Sequence, residues 1–253
     1  GWLVNTVVSK VKKMVPAYSL PQAISFKSAL RMGRGLGIKP LKVSLDDIAV
    51  LQYTGGTTGL AKGAMLTHGN LVANMQQVRA CLAQLGPDGQ PLLREGQEVM
   101  IAPLPLYHIY AFTANCMCMM VSGNHNVLIT NPRDIAGFIK ELKNWRFSAL
   151  LGLNTLFVAL MDHPDFKTLD FSSLKLTNSG GTALVKATAE RWEQMTGCRI
   201  TEGYGLTETS PVACTNPYGD QSRLGTAGLP VPGTLLKVIN DDGVEQPMGE
   251  RGE

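Results

Sequence analysis

The sequence predicts an α/β fold, a mostly parallel sheet with flanking helices that gives way to the start of a β-rich, barrel-like subdomain. Three observations carry this expectation. Short apolar, β-branched runs alternate with longer stretches of helical periodicity, the pattern of strand–helix–strand units. Glycine and proline punctuate the joints between them. After Pro211 the periodic helices stop and a hairpin pattern begins. With 253 residues, the chain can bury one sizeable core or two small ones.

Taken in order, residues 1–45 form a basic connecting segment, where Pro16, Pro21 and the Gly33–Gly37 stretch predict irregular chain. Residues 46–210 form the α/β core. Its strands are expected at Ile48–Tyr53, Glu98–Ala102, Asn126–Thr130, Ser148–Leu151 and Leu174–Thr177. One helix carries Leu71, Met75, Val78, Leu82 and Leu85 on a single stripe and opens at Thr67 or Asn70, either of which suits an N-cap. A buried helix spans Tyr110–Val121, too short and too interrupted by Thr113 and Asn115 to cross a bilayer. Asp134 caps a further helix whose inward face is Ile135, Phe138, Ile139, Leu142 and Trp145. The last runs from Thr182 to Thr196 and stops at Gly197, a favoured residue just past a helix C-terminus. Residues 211–253 start the β-rich piece, where Leu235–Asn240 and Val244–Gln246 flank Asp241-Asp242-Gly243, a hairpin signature.

Composition narrows the function classes. Hydrophobic residues make up 44% and charged residues 17% of the chain, which fits a folded protein and not a disordered one. The five cysteines (Cys81, Cys116, Cys118, Cys198, Cys214) are odd in number and lack metal-type spacing, so core thiols in a reducing cytoplasm are expected. No secretory signal is expected. The net charge of +3 conceals an asymmetry: residues 1–43 hold eight basic residues and no acid, leaving 15 basic against 20 acidic in the remainder. That acidic remainder, without interleaved aromatic and basic residues, argues against a nucleic-acid partner. In the basic arm, Leu3, Val4, Val7, Val8, Val11 and Met14 recur at helical spacing beside Trp2. Two readings of the arm stay open: peripheral association with an anionic membrane, on its cytoplasmic inner face, or packing against a part of the protein outside this chain.

The chemistry concentrates in YTGGTTGLAKGAMLTHGN, Tyr53–Asn70, which contains no acidic residue. Gly55, Gly56 and Gly59 let the backbone approach a ligand without a Cβ in the way, while Thr54, Thr57 and Thr58 offer hydroxyls and Lys62 a cation. Such a set suits a phosphate chain. It is not a Walker loop: counted from Gly56, Ala61 stands at the second glycine position and Gly63 at the Ser/Thr position. A strand precedes it and the helix starts only after the apolar run Ala64–Leu66, so loop donors and not a helix dipole must hold the anion.

This stretch resembles the phosphate loop of the acyl-adenylate-forming, or AMP-binding, superfamily, although many members have proline where Ala61 stands. SGGTAL (Ser179–Leu184, with Ala183 in place of a frequent proline), EGYGLTET (Glu202–Thr209) and GLPVPG (Gly228–Gly233) follow in the family's order. Over essentially the whole chain, LQYTGGTTGLAKGAMLTH, APLPLYHIYAF, LITNPRD, LDFSSLKL and EGYGLTE are similar to bacterial long-chain-fatty-acid–CoA ligases. The resemblance implies an acetyl-CoA-synthetase-like fold, truncated, and a two-step reaction. A fatty acid and ATP give acyl-AMP and pyrophosphate, with Mg²⁺ as cofactor; coenzyme A then accepts the acyl group.

By the same resemblance, Thr54, Gly55, Gly56, Thr57, Thr58, Gly59 and Lys62 hold the β- and γ-phosphates. Ser179, Gly180, Gly181 and Thr182 line one side of the adenine, and Gly203, Tyr204 and Gly205 the other. Thr207 contacts the α-phosphate, Glu208 and Thr57 hold the metal, and His108 lies at the acyl pocket; Thr207, Glu208 and His108 form the catalytic set. Phe112 falls where some long-chain members carry an aromatic gate, with core packing as the competing reading. The run 109–121 is equally a pocket wall or plain core, and His68, His125 and His163 are read as structural or surface residues. The family further implies sheet strands before this segment and, after Glu253, a ribose-binding Asp, a hinge and a small domain bearing the catalytic lysine; without them the chain is expected not to turn over. Two alternatives remain: another adenylate-forming enzyme (a fatty-acyl-AMP ligase or an aryl-CoA ligase), and a non-catalytic nucleotide-, acyl- or membrane-surface-binding module.

Overall fold

A computed structural model describes residues 2–54, 61–85 and 89–253. The chain divides into two compact units, Gly1–Val43 and Ser44–Glu253. In the first, α1 (Trp2–Thr6) continues as a wider π-wound turn (Val7–Val11), and α2 spans Phe26–Gly33. The stripe through Met14 predicts a longer first helix. It stops short where Lys13 adopts left-handed backbone (φ +49°), after a run of β-branched valines that favour helix poorly. Helix α2 lies within chain predicted to be irregular. It opens where the Ser25 hydroxyl accepts the Ser28 N–H at 3.2 Å. No described side chain of this unit is buried.

The second unit begins with an antiparallel hairpin, β1 (Ile48–Thr54) and β2 (Lys62–Thr67), and helix α3 (His68–Leu82). Strand β3 (Val99–Ala102) follows, then a helix whose first turn, α4 (Ile109–Ala111), widens into a π-wound stretch (Phe112–Met119). Next come β4 (His125–Leu128), α5 (Ile135–Leu142), β5 (Ala149–Gly152), α6 (Asn154–Asp162), β6 (Leu176–Ser179) and α7 (Lys186–Thr196). The last strands are β7 (Ile200–Gly205), β8 (Val212–Thr215) and β9 (Leu229–Pro230). Strands β3 to β9 make one sheet in the order β4–β3–β5–β6–β7–β8–β9. Pairs from β4 across to β7 are parallel, and β8 and β9 extend that edge antiparallel.

Alternate strand residues enter two cores, as the period of two requires. Met100, Ala149, Leu151 and Leu176 pack with Met75 and Leu82 of α3 and Cys118 and Met119 of the π-wound helix. Ile101, Leu150 and Ile200 pack instead with Phe138 of α5, Phe157 of α6 and Trp192 of α7. Both faces of the parallel sheet are thus covered. Trp192 satisfies its indole N–H on Thr177 Oγ1 at 3.2 Å and meets Phe157 edge-on, ring centroids 4.9 Å apart.

The five predicted strands appear, each end displaced by no more than two residues. Thr67 and Asn70, offered as alternative caps, act together: Thr67 Oγ1 accepts the Asn70 N–H at 3.1 Å and Asn70 Oδ1 accepts the Thr67 N–H at 3.0 Å. Asp134 caps α5 by accepting the Gly137 N–H at 3.0 Å. Helix α7 starts at Lys186 and not at Thr182, because side chains claim the preceding backbone. Glu202 Oε1 accepts the Leu184 N–H at 3.2 Å and Asn154 Oδ1 the Val185 N–H at 3.0 Å. It ends, as expected, at a left-handed Gly197 (φ +72°). Among the described residues no closed barrel forms. The predicted hairpin at 235–246 shrinks to one bridge, Ile239–Glu245, around a turn at Gly243 (φ +77°).

Candidate functional site

A cavity of about 450 Å³ opens at the carboxyl ends of the parallel strands. The strand order places β4 on one side of β3 and β5 on the other, so consecutive connections diverge there, and such a switch point leaves a crevice. One part of the lining lies at or past strand ends: Thr54, His108, Gly180, Gly181 and Gly203–Glu208. The other part descends between the sheet and its α3 side. Leu176, the first residue of β6, lies there with Met100, Leu151, Val78, Leu82, Ala114, Cys118 and Met119. The cavity therefore joins a polar, glycine-rich mouth to an apolar interior.

The structure gathers many of the predicted site residues around this space: Thr54, His108, Gly180, Gly181, Gly203, Tyr204, Gly205, Thr207 and Glu208. The β1–β2 hairpin packs beside the short turn Thr207–Thr209, which brings the first and third motifs together. Thr54 ends β1 opposite Lys62 of β2, and its hydroxyl donates to Lys62 O at 3.3 Å. His108 caps α4, its Nδ1 accepting the Tyr110 N–H at 3.3 Å. Gly55, Gly56, Thr57, Thr58 and Gly59 lie outside the described residues.

Four predicted residues are not in the described lining. Lys62 is exposed at the base of the hairpin loop. Phe112 is partly buried and packs with Leu66, Leu71 and Ile109 between the hairpin and α3. Thr182 points to solvent. Ser179 is buried, and its hydroxyl has no hydrogen-bond partner among the described residues.

Several residues that organise the site had no role assigned to them from the sequence. Glu202 clamps two turns, accepting the Leu184 N–H through one carboxylate oxygen and the Gly225 N–H through the other at 2.8 Å. Asn74 of α3 holds the start of β8 on both sides, donating to Val212 O at 2.7 Å and accepting the Val212 N–H at 3.1 Å. Tyr110 donates to the Asn178 carboxamide oxygen, and Tyr218 helps wall the interior. A paired, buried amide or phenol looks like any loop or core residue in sequence; only its partner reveals it.

The interior is kept electrically neutral. Burial pushes the Cys118 thiol up to about 12, with nearby Arg79 pulling weakly the other way, and it raises Cys81 as well. The Tyr110 and Tyr218 phenols are also raised, chiefly by burial. At neutral pH none of these four groups carries charge. In the described lining, Glu208 is the one carboxylate, and no lysine or arginine is present. A neutral, largely apolar interior suits a hydrocarbon group, while the mouth offers hydroxyls, backbone and one carboxylate.

A family profile described as AMP-binding enzyme matches residues 4–253. Among curated proteins, the long-chain-fatty-acid–CoA ligase of Escherichia coli O6:H1 is 50% identical over 254 residues, covering 100% of this chain and 44% of the relative. Among solved structures, ATP-bound MatB from Rhodopseudomonas palustris matches with a TM-score of 0.71 at 27% identity, covering 89% of this chain and 42% of that one. A long-chain-fatty-acid–CoA ligase from Archaeoglobus fulgidus gives 0.71 at 26% identity, covering 84% and 42%. The chain spans less than half the length of each of these relatives. Because the profile takes in every described strand of the sheet and every described wall of the cavity, the chain belongs to the AMP-binding enzyme family.

Proposed function

We propose that this chain forms the nucleotide and acyl sites of an ATP-dependent long-chain-fatty-acid–CoA ligase. The observation that carries the reading is the single cavity: a polar mouth of strand-end turns continuous with a neutral, apolar interior. The E. coli relative's name supports the same substrate class. ATP enters with its adenine between Gly180–Gly181 and Tyr204 and its α-phosphate at Thr207. The hairpin loop Thr54–Gly59, with Lys62, holds the β- and γ-phosphates. The fatty acid lies with its chain in the interior and its carboxylate near His108, aligned to attack the α-phosphate; acyl-AMP and pyrophosphate result, and the thiol of coenzyme A then takes the acyl group as AMP leaves. Positioning and charge neutralisation are the main contributions of such a site.

The residues fit a magnesium ion in one specific way. Among the described residues no three His, Cys, Asp or Glu side chains cluster as a cage. Glu208, with the Thr57 hydroxyl, would hold the ion while nucleotide phosphates complete its shell, the arrangement Mg²⁺ favours. The ion would balance the phosphate charge that Lys62 alone does not offset, since the described lining itself holds no lysine or arginine.

The deciding measurement is ATP–pyrophosphate exchange by the chain as encoded at full length, over acids of increasing length. Exchange that rises with alkyl length supports the reading. A preference for aryl acids, or acyl-AMP release without transfer to coenzyme A, would instead indicate another adenylate-forming enzyme. The exposed, acid-free first unit supports peripheral association with an anionic membrane, facing the cytoplasm. No described helix is long and apolar enough to cross one.

A further inference from the structure

We propose that Tyr110 and Asn178 are a positioning pair that locks the acyl-side helix to the nucleotide-side turn. The proposal rests on the reading of the cavity as one site with two ends. The Tyr110 hydroxyl donates to Asn178 Oδ1 and lies 3.4 Å from the Asn178 backbone oxygen. Asn178 Nδ2 donates in turn to Thr201 O, on the neighbouring strand β7, at 3.0 Å. These two bonds leave the carboxamide one orientation, oxygen toward the helix and nitrogen toward the sheet. The Tyr110 ring also leans on Gly180, where a Cβ would stand 3.2 Å from ring carbons Cε1 and Cζ. Tyr110, Asn178 and Gly180 all face the cavity.

One hydroxyl therefore ties three pieces together: the first turn of α4, the end of β6 with its glycine turn, and β7. Burial holds the phenol protonated far above neutral pH, so the donor is permanent. Phenylalanine at 110 would keep the ring against Gly180 but leave a partly buried amide oxygen without its donor. The carboxamide could then turn, and the Gly180–Gly181 backbone that faces the nucleotide would lose its fixed register with the helix.

The test compares wild type, Tyr110→Phe, Asn178→Ala and the double variant in the chain as encoded at full length, varying ATP and fatty acid separately. Tyr110→Phe is expected to raise KM for ATP about three- to tenfold, the size of one lost neutral hydrogen bond. Its Tm and its KM for fatty acid stay near wild type. The double variant is no worse than Asn178→Ala, because the second change removes a bond already gone. Additive losses, or a wild-type KM for ATP in Tyr110→Phe with or without a fall in Tm, overturn the pair. Should the wild type not activate fatty acids, the substrate assignment fails but the pair is still tested. Calorimetric Kd values for ATP on the same four proteins must then show the same shift.

Discussion

At Gly205 a Cβ would lie 2.0 Å from the Pro211 carbonyl oxygen, a backbone atom that cannot swing aside. At Gly203 the nearest atom, Cys214 O, would be 3.5 Å away, an ordinary contact. The motif gives both glycines one role beside the nucleotide; the structure separates them. Gly205 is required by its own fold, whereas Gly203 is free to serve a ligand. Gly205→Ala should therefore lower Tm by several degrees or prevent folding. Gly203→Ala should keep Tm within about a degree and weaken ATP binding, which calorimetry with differential scanning would separate. Glu98 makes a second prediction. It is buried and paired with Lys175 at 2.8 Å. Burial opposes its charge, but hydrogen bonds from Lys175, Ser148 and the Arg94 N–H, with the Lys175 charge, together outweigh it and leave its pKa below 4.5. The unfolded chain then holds that proton more tightly, so the stabilisation is complete above about pH 4.5 and is lost as pH falls through the lower folded value. Glu98→Gln should reduce Tm at pH 7 and flatten its decline under acid; parallel Tm–pH curves would contradict this.

Helix α3 shows how far patterns carry. Its apolar stripe and both cap residues are legible, and the structure places Met75 and Leu82 in the core as that stripe requires. Its opposite business is not legible. Asn74 and Gln77, with Gln84 just past its end, stitch the helix to residues 212–234: Gln77 donates to Pro232 O at 2.8 Å, and Gln84 bonds the Tyr218 backbone in both directions. Amides on a helix normally signal solvent, so only the distant partners identify this seam. Asn74→Ala would leave the Val212 N–H and C=O unpaired in a largely buried place, at a cost of roughly 1–3 kcal/mol. Urea unfolding should show it, while Gln77→Ala, with a more exposed partner, should cost less. Strand β7 and helix α6 escaped prediction for physical reasons as well. The glycines at 203 and 205 depress strand propensity, and Leu156, Phe157, Val158, Leu160 and Met161 leave α6 with little polar face to mark its period.

Across the whole chain, the fold class and the main motifs could be read because strand–helix alternation and glycine-rich turns are local properties. The cavity could not, since its walls come from residues as far apart as Thr54 and Val231. The first unit makes a prediction of its own. Its apolar side chains, Trp2 at 79% exposure among them, stand beside eight cations and no anion. The protein should sediment with anionic vesicles at low salt and release as salt shortens the screening length from ~10 Å toward ~3 Å. Loss of residues 1–43 should abolish that binding; equal sedimentation without them would sink the idea.

The two ends of the cavity also differ in how freely they can diverge over generations. Around the mouth, Gly205 is locked by Pro211 and Glu202 by two backbone amides, so most replacements there disturb the chain path itself. The interior is walled by side chains from α3 and the π-wound helix, where one aliphatic or sulfur-bearing group can replace another. Descendants of such a scaffold would keep the mouth and vary the interior, drifting by repacking a single wall.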